Sequence, residues 1–424
     1  MNIGEIEKRL LDTTVKGLSG TEPVTPGSVA GRKWNLLRDD LPFPSMVLLE
    51  SALSHNLTAM ADWCRKNDFL LAPHGKTTMC PQIYKRQFDL GAWAMTVASA
   101  SQAMVCVKFG IQRIVIANQL VGKANIRLIA EAMARDPKLE VYCLVDSVDG
   151  ADHLAAHLHE SGARRPIRVL LESGRQGWRT GVRTLDEARR VLTAIRRHAG
   201  ALEFAGVEGF EGIAKPEEGA DLKAFLGDLL NLATTLTADL PAPPEGFLIS
   251  VGGSAYLDYL QEFLAPLRGK VRLVVRSGCT VTMDHGTYAR QIRRARDAGK
   301  GPDAFPEFRQ AMELWSVVQS VRDGDTAILT FGKRDCSYDG DLPLPLFSVK
   351  PGGTRKDARP LTGAKVVKLN DQHAYMTLPA GVEVKVGDRV ACGISHPCLS
   401  FDKWAVLPVV DDEYRVLDLY CTYF

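Results

Sequence analysis

The stretch FLLAPHGKT spans Phe69–Thr77 and decides the fold. Its first part, Phe69–Ala72, is an apolar run without polar alternation, which is typical of a strand buried on both faces of a parallel sheet. A loop that carries Lys76 follows this run directly. Seven further apolar runs recur along the chain and alternate with helix-like stretches, so they indicate a series of βα units.

Eight buried strands are predicted from these runs. They lie at Phe69–Ala72, Trp93–Val97, Arg113–Ala117, Glu140–Asp146, Ile167–Glu172, Phe204–Gly209, Phe247–Val251 and Arg272–Val275. Helices are predicted between them at Ser99–Phe109, Asn125–Arg135, Leu185–His198 and Glu217–Leu236. Eight βα units in one series predict an α/β fold of the (β/α)8 TIM-barrel type rather than a doubly wound sheet.

The sequence pattern changes after residue 280. Residues 281–424 read as turns and short alternating strands, punctuated by prolines and glycine pairs, and they predict a mostly β C-terminal domain. The barrel is assigned to residues 45–280, a polar N-terminal extension to residues 1–44, and Ser45–Glu50 is interpreted as a strand that can return to the β domain. Strands of the β domain are predicted at Glu313–Ser320, Thr326–Thr330, Ala364–Leu369, Ala374–Leu378 and Arg389–Gly393.

The composition narrows the class of protein. A hydrophobic fraction of 46%, a charged fraction of 24% and a net charge of +2 are ordinary globular values, and they favour neither nucleic acid nor a membrane surface as a partner. No apolar run is long enough for a membrane helix, and the first 40 residues lack the apolar core of a secretory signal. The nine scattered cysteines include no CxxC pair, which favours reduced thiols and a cytoplasmic location.

Two loops at predicted strand ends could carry chemistry. Lys76 follows the first strand, where barrel active sites gather, and a lysine there can be partly desolvated and nucleophilic. Position alone favours the alternative that Lys76 is a surface lysine in a βα loop. Ser250–Ser254 reads SVGGS between the seventh strand and a helix, where glycines and free N–H groups can hold a phosphate. The alternative for this segment is a tight turn with Ser254 as the helix N-cap.

Two further segments carry candidate ligands. His396 and Cys398 form a His-x-Cys pair in the predicted β domain, and imidazole and thiolate are good zinc ligands. Two ligands are too few for a structural site, so a metal there would keep open positions for water or substrate; the alternative is a buried cysteine beside a histidine. The segment Glu172–Val182, which includes Arg179, places two arginines after the fifth strand, and it could also be a glycine-rich loop with solvated arginines.

Taken together, these segments resemble the D-serine dehydratase and D-threonine aldolase family of alanine-racemase-like (fold type III) pyridoxal-phosphate enzymes. Two local differences from many members, Phe210–Gly212 and Gly332–Asp335, are similar to those of bacterial amino-acid deaminases. The matching segments follow the family's order and are Pro73–Thr77, Arg179–Val182, Gly252–Ser254, Met283–Asp284, Asn370–His373 and His396–Cys398.

The resemblance implies a role for each matching residue. Lys76 matches the catalytic lysine that binds pyridoxal phosphate covalently, and His74 is expected to line the same pocket. Arg179 is implied to face the pyridine nitrogen. His373 is implied to have a catalytic, substrate-binding or metal-supporting role. The phosphate-binding turn is implied at Gly252, Gly253 and Ser254, and the metal ligands at His396 and Cys398.

The resemblance also implies a reaction. The family uses pyridoxal phosphate and a divalent metal, here expected to be zinc, with manganese or magnesium as alternatives, and it acts as a homodimer on small D-amino acids. Dehydratases in the family carry His-x-Cys and aldolases tend to carry His-x-Asp, so Cys398 favours dehydration of D-β-hydroxy amino acids to 2-keto acids and ammonia. The alternative is retro-aldol cleavage to glycine and an aldehyde. A racemase of the same fold would need a second catalytic base, usually a tyrosine.

Overall fold

The chain begins with a segment that covers one face of the C-terminal domain. This segment contains a short helix, α1 (Gly4–Glu7), and it ends before strand β1 (Ser45–Leu49). Its apolar side chains, including Ile6 and Leu36, are buried in one cluster with Trp315 of the C-terminal domain. Residues 1–44 therefore contribute to the core of that domain.

Eight parallel strands form the barrel in the computed structural model, which describes residues 1–214, 219–238 and 246–424. The strands pair in the order β2-β9-β8-β7-β6-β5-β4-β3. Trp93 N donates to Leu71 O at 2.7 Å and Thr96 N donates to Pro73 O at 2.9 Å, so the first and last strands of this row meet and the ring closes. The predicted (β/α)8 barrel is confirmed. Its strands are β2 (Phe69–Leu71), β3 (Met95–Val97), β4 (Arg113–Gln119), β5 (Glu140–Val145), β6 (Ile167–Ser173), β7 (Leu202–Gly209), β8 (Leu248–Val251) and β9 (Arg272–Val275).

Helices surround the barrel and begin at local capping signals. Three of them start at Ser99, Ser147 and Thr184, whose hydroxyls accept the backbone N–H three residues further on. The predicted helix start at Glu217 lies outside the described residues. The helices are α2 (Glu50–Lys66), α3 (Pro81–Asp89), α4 (Ala100–Lys108), α5 (Lys123–Arg135), α6 (Val148–Glu160), α7 (Leu185–Arg197), α8 (Gly219–Ala238) and α9 (Leu257–Leu264).

The C-terminal domain is built on a ten-stranded sheet. Strand β1 lies inside this sheet, antiparallel to β10 and parallel to β17, so the chain enters the β domain before it forms the barrel. The other strands are β10 (Met312–Arg322), β11 (Thr326–Leu329), β12 (Leu344–Val349), β13 (Arg359–Pro360), β14 (Lys365–Leu369), β15 (Ala374–Thr377), β16 (Arg389–Gly393), β17 (Val406–Val410) and β18 (Val416–Cys421).

The sequence patterns missed several elements of this domain. Strands β12 and β17 contain Pro345 and Pro408, and proline is read as a break in a strand. The structure accommodates Pro345 where the pairing of β12 with β16 shifts register. Two helices, α10 (Thr287–Asp297) and α11 (Cys398–Phe401), also lie within residues that were predicted as turns and strands.

Two layers of apolar packing hold the barrel. Val115, Leu144, Leu170 and Val274 belong to a small buried cluster from alternating strand positions, which fills the barrel interior. A much larger buried cluster lies between the strands and the surrounding helices. No helix in the described parts of the chain is both long and apolar enough to cross a membrane.

Gly206 provides a test of the barrel packing. It has a φ of +151°, and an added Cβ would lie 2.0 Å from Leu248 O on the neighbouring strand. We expect Gly206→Ala to lower the free energy of unfolding by at least about 2 kcal/mol, because the backbone of β8 must shift. Gly200→Ala is the matched control, since nothing lies within 4 Å of its added Cβ. Equal denaturation midpoints for the two variants in urea would contradict this account.

Candidate active site

A cavity of about 510 Å³ opens at the carboxyl ends of the barrel strands, and residues of the β domain complete its wall. Parallel strands bring the loops that follow them to one mouth, so residues far apart in sequence meet here. Gly253 and His373 are not among the described lining residues. The predicted site residues that do line the cavity are His74, Lys76, Arg179, Gly252, Ser254, His396 and Cys398.

Lys76 lies in the short turn Gly75–Thr77 that follows β2. It lines the cavity and is exposed, which differs from the partly desolvated amine that was one of the two alternatives for this position. The difference arises because the cavity is open, so the amine stays in contact with water. Beside it, the buried Nδ1 atom of His74 has no hydrogen-bond partner among the described residues. Burial, followed by the charge of Lys76, lowers the pKa of His74 well below its ordinary value, so this ring is a neutral group facing the cavity.

The glycine turn after β8 is held by a carboxylate. Gly252 N donates to Glu211 Oε2 at 2.9 Å, and Gly253 N donates to Glu211 Oε1 at 2.5 Å. Gly253 has a φ of +96°, a conformation that favours glycine. Burial raises the pKa of Glu211, while the turn's N–H groups act in the opposite direction. The turn predicted to bind phosphate is thus an anion-binding turn, and Glu211 is bound to it.

A row of hydroxyl groups runs from the next part of the cavity wall into the buried region behind it. Ser254 Oγ lies 3.2 Å from Ser277 Oγ and accepts a hydrogen bond from Gly278 N at 3.3 Å. Ser277 Oγ lies 2.8 Å from Thr280 Oγ1. These groups follow β8 and β9, so hydrogen bonds join two neighbouring strand ends here, and Ser254 and Gly278 of this network line the cavity.

Arg179 and Arg276 bring positive charge to the cavity, which Arg290 also lines. Arg276 is 4% exposed, forms an ion pair with Glu208 and donates to Ser250 Oγ at 2.5 Å. Burial raises the pKa of Glu208 to about 7, although the charge of Arg276 lowers it. Arg179 is exposed, with its guanidinium carbon 5.5 Å from the centre of the Phe210 ring. Arg276 and Glu208 were not predicted from the sequence, although their positions at the ends of β9 and β7 were an available signal.

The predicted metal ligands lie at the other side of the cavity. Cys398 Sγ is 3.5 Å from Cys279 Sγ and donates to Thr77 Oγ1 at 3.3 Å, which places it next to the Lys76 loop. The hydrogen bond with Cys279 lowers the pKa of the Cys398 thiol well below its ordinary value. A low thiol pKa favours the thiolate, which is the form that binds metals.

His396 is oriented by an acidic neighbour. Its Nδ1 lies 2.6 Å from Asp339 Oδ2, which leaves Nε2 for another partner. The hydrogen bond with Cys398, followed by that with Asp339, raises the pKa of His396 to about 9. Asp339 was not identified from the sequence, because it stands 57 residues before His396 with no local motif to connect them.

His373 lies in the hairpin between β14 and β15, where its backbone oxygen accepts from Asn370 N at 2.9 Å. Lys333 N donates to Asn370 O at 2.9 Å, so this hairpin packs against the loop Gly332–Asp335. Both segments belong to the β domain. His373 is not among the described lining residues of the cavity, so its role in the site stays a prediction.

Both domains of the chain are similar to known protein families. The family model described as "Alanine racemase, N-terminal domain" matches residues 50–298, which is more than half of the chain. The chain therefore belongs to this family, and the membership supports pyridoxal phosphate as the cofactor. A second model, "Putative serine dehydratase domain", matches residues 311–410 in the β domain.

Named relatives include two lyases. A D-threonine aldolase from Arthrobacter sp is 31% identical over 198 residues, 47% of this chain and 48% of the relative, so the match spans about half of that protein. A D-threo-3-hydroxyaspartate dehydratase from Delftia sp. (strain HT23) is 25% identical over 372 residues, 83% of this chain and 88% of the relative. The crystal structure of a D-threonine aldolase from Filomicrobium marinum has the same fold, with a TM-score of 0.76, 24% identity, and coverage of 92% of this chain and 97% of that one.

Asp284 links the cavity wall to pH-dependent stability. Its Oδ1 accepts N–H groups at the start of α10, the helix that brings Tyr288 to the cavity, while its buried Oδ2 has no partner among the described residues. Burial raises the pKa of Asp284 from 3.8 to about 7. Between these values the folded protein holds a proton that the unfolded chain has lost, so stability falls as pH rises.

Asp284→Asn should remove this pH dependence, because the amide keeps the acceptor oxygen and carries no charge. We expect the variant to gain stability relative to the parent between pH 4 and pH 7, by up to roughly 4 kcal/mol. Urea denaturation across this pH range measures the difference. Asp297→Asn at the exposed end of the same helix is the control. A parent-to-variant difference that does not change with pH would refute the assignment.

Proposed function

We propose that this protein is a pyridoxal-phosphate- and metal-dependent ammonia-lyase that converts D-configured β-hydroxy amino acids to 2-keto acids and ammonia. The observation that carries the proposal is the meeting of two motifs in one cavity. Lys76 comes from the barrel, and the His396 and Cys398 pair comes from the β domain more than 300 residues later. The two lyase relatives support the same class of reaction.

The cavity fits the cofactor. An exposed lysine, two arginines and the Ser254 and Gly278 corner suit an aldehyde with an acidic phosphate, and the orphaned His74 Nδ1 leaves a polar contact to be filled. Pyridoxal phosphate supplies an aldehyde for the Lys76 amine and a ring that stabilises negative charge at Cα of a bound amino acid.

The second pair of residues fits a metal. Imidazole and thiolate suit zinc, with manganese or magnesium as the alternatives. Among the described residues, no group of three or more His, Cys, Asp or Glu side chains could hold a metal ion. His396 and Cys398 would therefore supply two ligands and leave positions for water and for the substrate hydroxyl. A divalent metal supplies a Lewis acid that draws electrons from the β-hydroxyl oxygen.

The chain's own groups divide the work of dehydration. Lys76 is the only lysine among the described lining residues, so its amine is the base that takes the proton from Cα. His396 and Cys398 hold the leaving-hydroxyl end of the substrate at the β domain. Loss of the Cα proton and of the β-hydroxyl amounts to loss of water. Hydrolysis of the resulting enamine then gives the keto acid and ammonia.

Retro-aldol cleavage is the second candidate, favoured by the 31% identity with a D-threonine aldolase. It starts with loss of the β-hydroxyl proton rather than the Cα proton, and it breaks the Cα–Cβ bond to give glycine and an aldehyde. The His-x-Cys pair favours dehydration. We also propose a homodimer, as the family resemblance implies, and a cytoplasmic location, which agrees with nine cysteines that are all free thiols.

Lys76→Ala tests the cofactor assignment. Purified protein reconstituted with pyridoxal phosphate should be yellow, and Lys76→Ala should lose the absorption band of the covalently bound cofactor together with turnover. Lys85→Ala is the control, because this half-buried lysine of α3 is not among the described lining residues of the cavity and forms its ion pair with Asp89. A parent protein that stays colourless after reconstitution would exclude the proposed function.

A product assay tests the reaction. The metal-loaded enzyme should release equal amounts of keto acid and ammonia from D-serine, D-threonine or D-threo-3-hydroxyaspartate, with the L-isomers as controls. Exhaustive chelation should abolish turnover but leave the absorption band unchanged. Added zinc should then restore turnover. Glycine plus an aldehyde without ammonia would replace the dehydratase with the aldolase. Full activity after chelation would remove the metal from the proposal.

A further inference from the structure

Glu211 already binds the turn that the sequence assigned to the cofactor's phosphate. Both of its carboxylate oxygens accept backbone N–H groups of the turn, one from Gly252 and one from Gly253. A Cβ added at Gly252 would lie 2.9 Å from Glu211 Oε1, so the carboxylate is packed closely against the turn. These two N–H groups are therefore not free for another anion.

The carboxylate is fixed in this position. Glu211 is 1% exposed, and its own backbone is in a tight turn in which Ala214 N donates to Glu211 O at 3.0 Å. Tyr256 OH donates to Ala214 O at 2.7 Å, so the segment after β8 is tied a second time to the segment after β7. Displacing a buried carboxylate from two hydrogen bonds is costly unless a new partner appears.

The consequence for Ser254 is direct. This residue follows the clamped glycines, and its hydroxyl faces the cavity beside Gly278 N. Without the two hydrogen bonds to Glu211, the position of Ser254 would depend on the conformational freedom of two consecutive glycines. The Glu211 carboxylate thus orders the turn, because it accepts hydrogen bonds from both glycine N–H groups.

We propose that Glu211 is a positioning residue that clamps the Gly252 and Gly253 turn, so that Ser254 is aimed at the phosphate of the cofactor while the two glycine N–H groups are not phosphate ligands. This inference rests on the proposed function, since it concerns the same cofactor site. It also gives a role to the Phe210–Gly212 segment, which differs from that of many family members.

The test compares two forms of the cofactor. Cofactor-free parent, Glu211→Gln and Glu211→Asp are titrated with pyridoxal phosphate and with pyridoxal, which lacks the phosphate, and binding is followed by absorbance. A glutamine keeps one acceptor oxygen but points an NH2 donor at the other N–H, so we expect roughly tenfold weaker binding of pyridoxal phosphate. Binding of pyridoxal should change little, and Glu211→Asp should recover part of the loss because it keeps the charge.

Glu203→Gln is the matched control, because this exposed glutamate lies on β7, the strand that precedes Glu211, and its ion pair among the described residues is with Arg168. Tighter binding of pyridoxal phosphate by Glu211→Gln would overturn the inference and make Glu211 a competitor that the phosphate displaces. Unchanged binding would also overturn it, as would equal weakening of both ligands with a fall in the melting temperature. A parent that binds neither ligand would refute the proposed function instead.

Discussion

The hydrogen bonds that close the barrel between β2 and β3 are the constraint on which the site depends. They join the strand that precedes Lys76 to the next strand along the chain, through Leu71 and Pro73. Closure removes the free sheet edges and brings all eight strand ends to one mouth. Lys76 in the turn after β2 and Arg276 after β9 line the same cavity because these two strands pair directly, although 200 residues separate the side chains.

Several charged side chains are buried at this end of the barrel, and each needs a partner because an unpaired buried charge is destabilising. The structure supplies these partners within the chain. Glu208 pairs with Arg276, and Glu211 pairs with the N–H groups of a turn. Glu208 joins β7 to the end of β9, across the intervening β8, and Glu211 joins the segment after β7 to the turn after β8, so both acidic residues cross-link the cavity wall. The positive charges of Lys76 and Arg179 then face the cavity, which suits an anionic ligand.

Local patterns were sufficient for the barrel but not for these cross-links. The strand at Arg272–Val275 has the bounds that its apolar run predicted, and so does Arg389–Gly393 in the β domain. Strands β12 and β17 were missed because their prolines look like breaks until the pairing partner is known. Asp339 and Glu211 carry no local signal either, since their roles exist only once distant segments meet. His373 lies in a matched segment but not among the described lining residues of the cavity, so its role stays a prediction.

The β domain explains how one cavity can serve two bond-breaking steps. The chain enters this domain through β1, leaves it to build the barrel, and returns through β10. The two domains are therefore connected by the chain both before and after the barrel. Cys398 of the β domain thereby lies 3.3 Å from Thr77, the residue after Lys76. In the proposed reaction, a base on one side and a metal-binding pair on the other face adjacent carbons of a small substrate. Whether Cα–H or Cα–Cβ breaks then depends on which proton the substrate loses first, the one on Cα or the one on the β-hydroxyl, so lyases of both kinds can share this architecture.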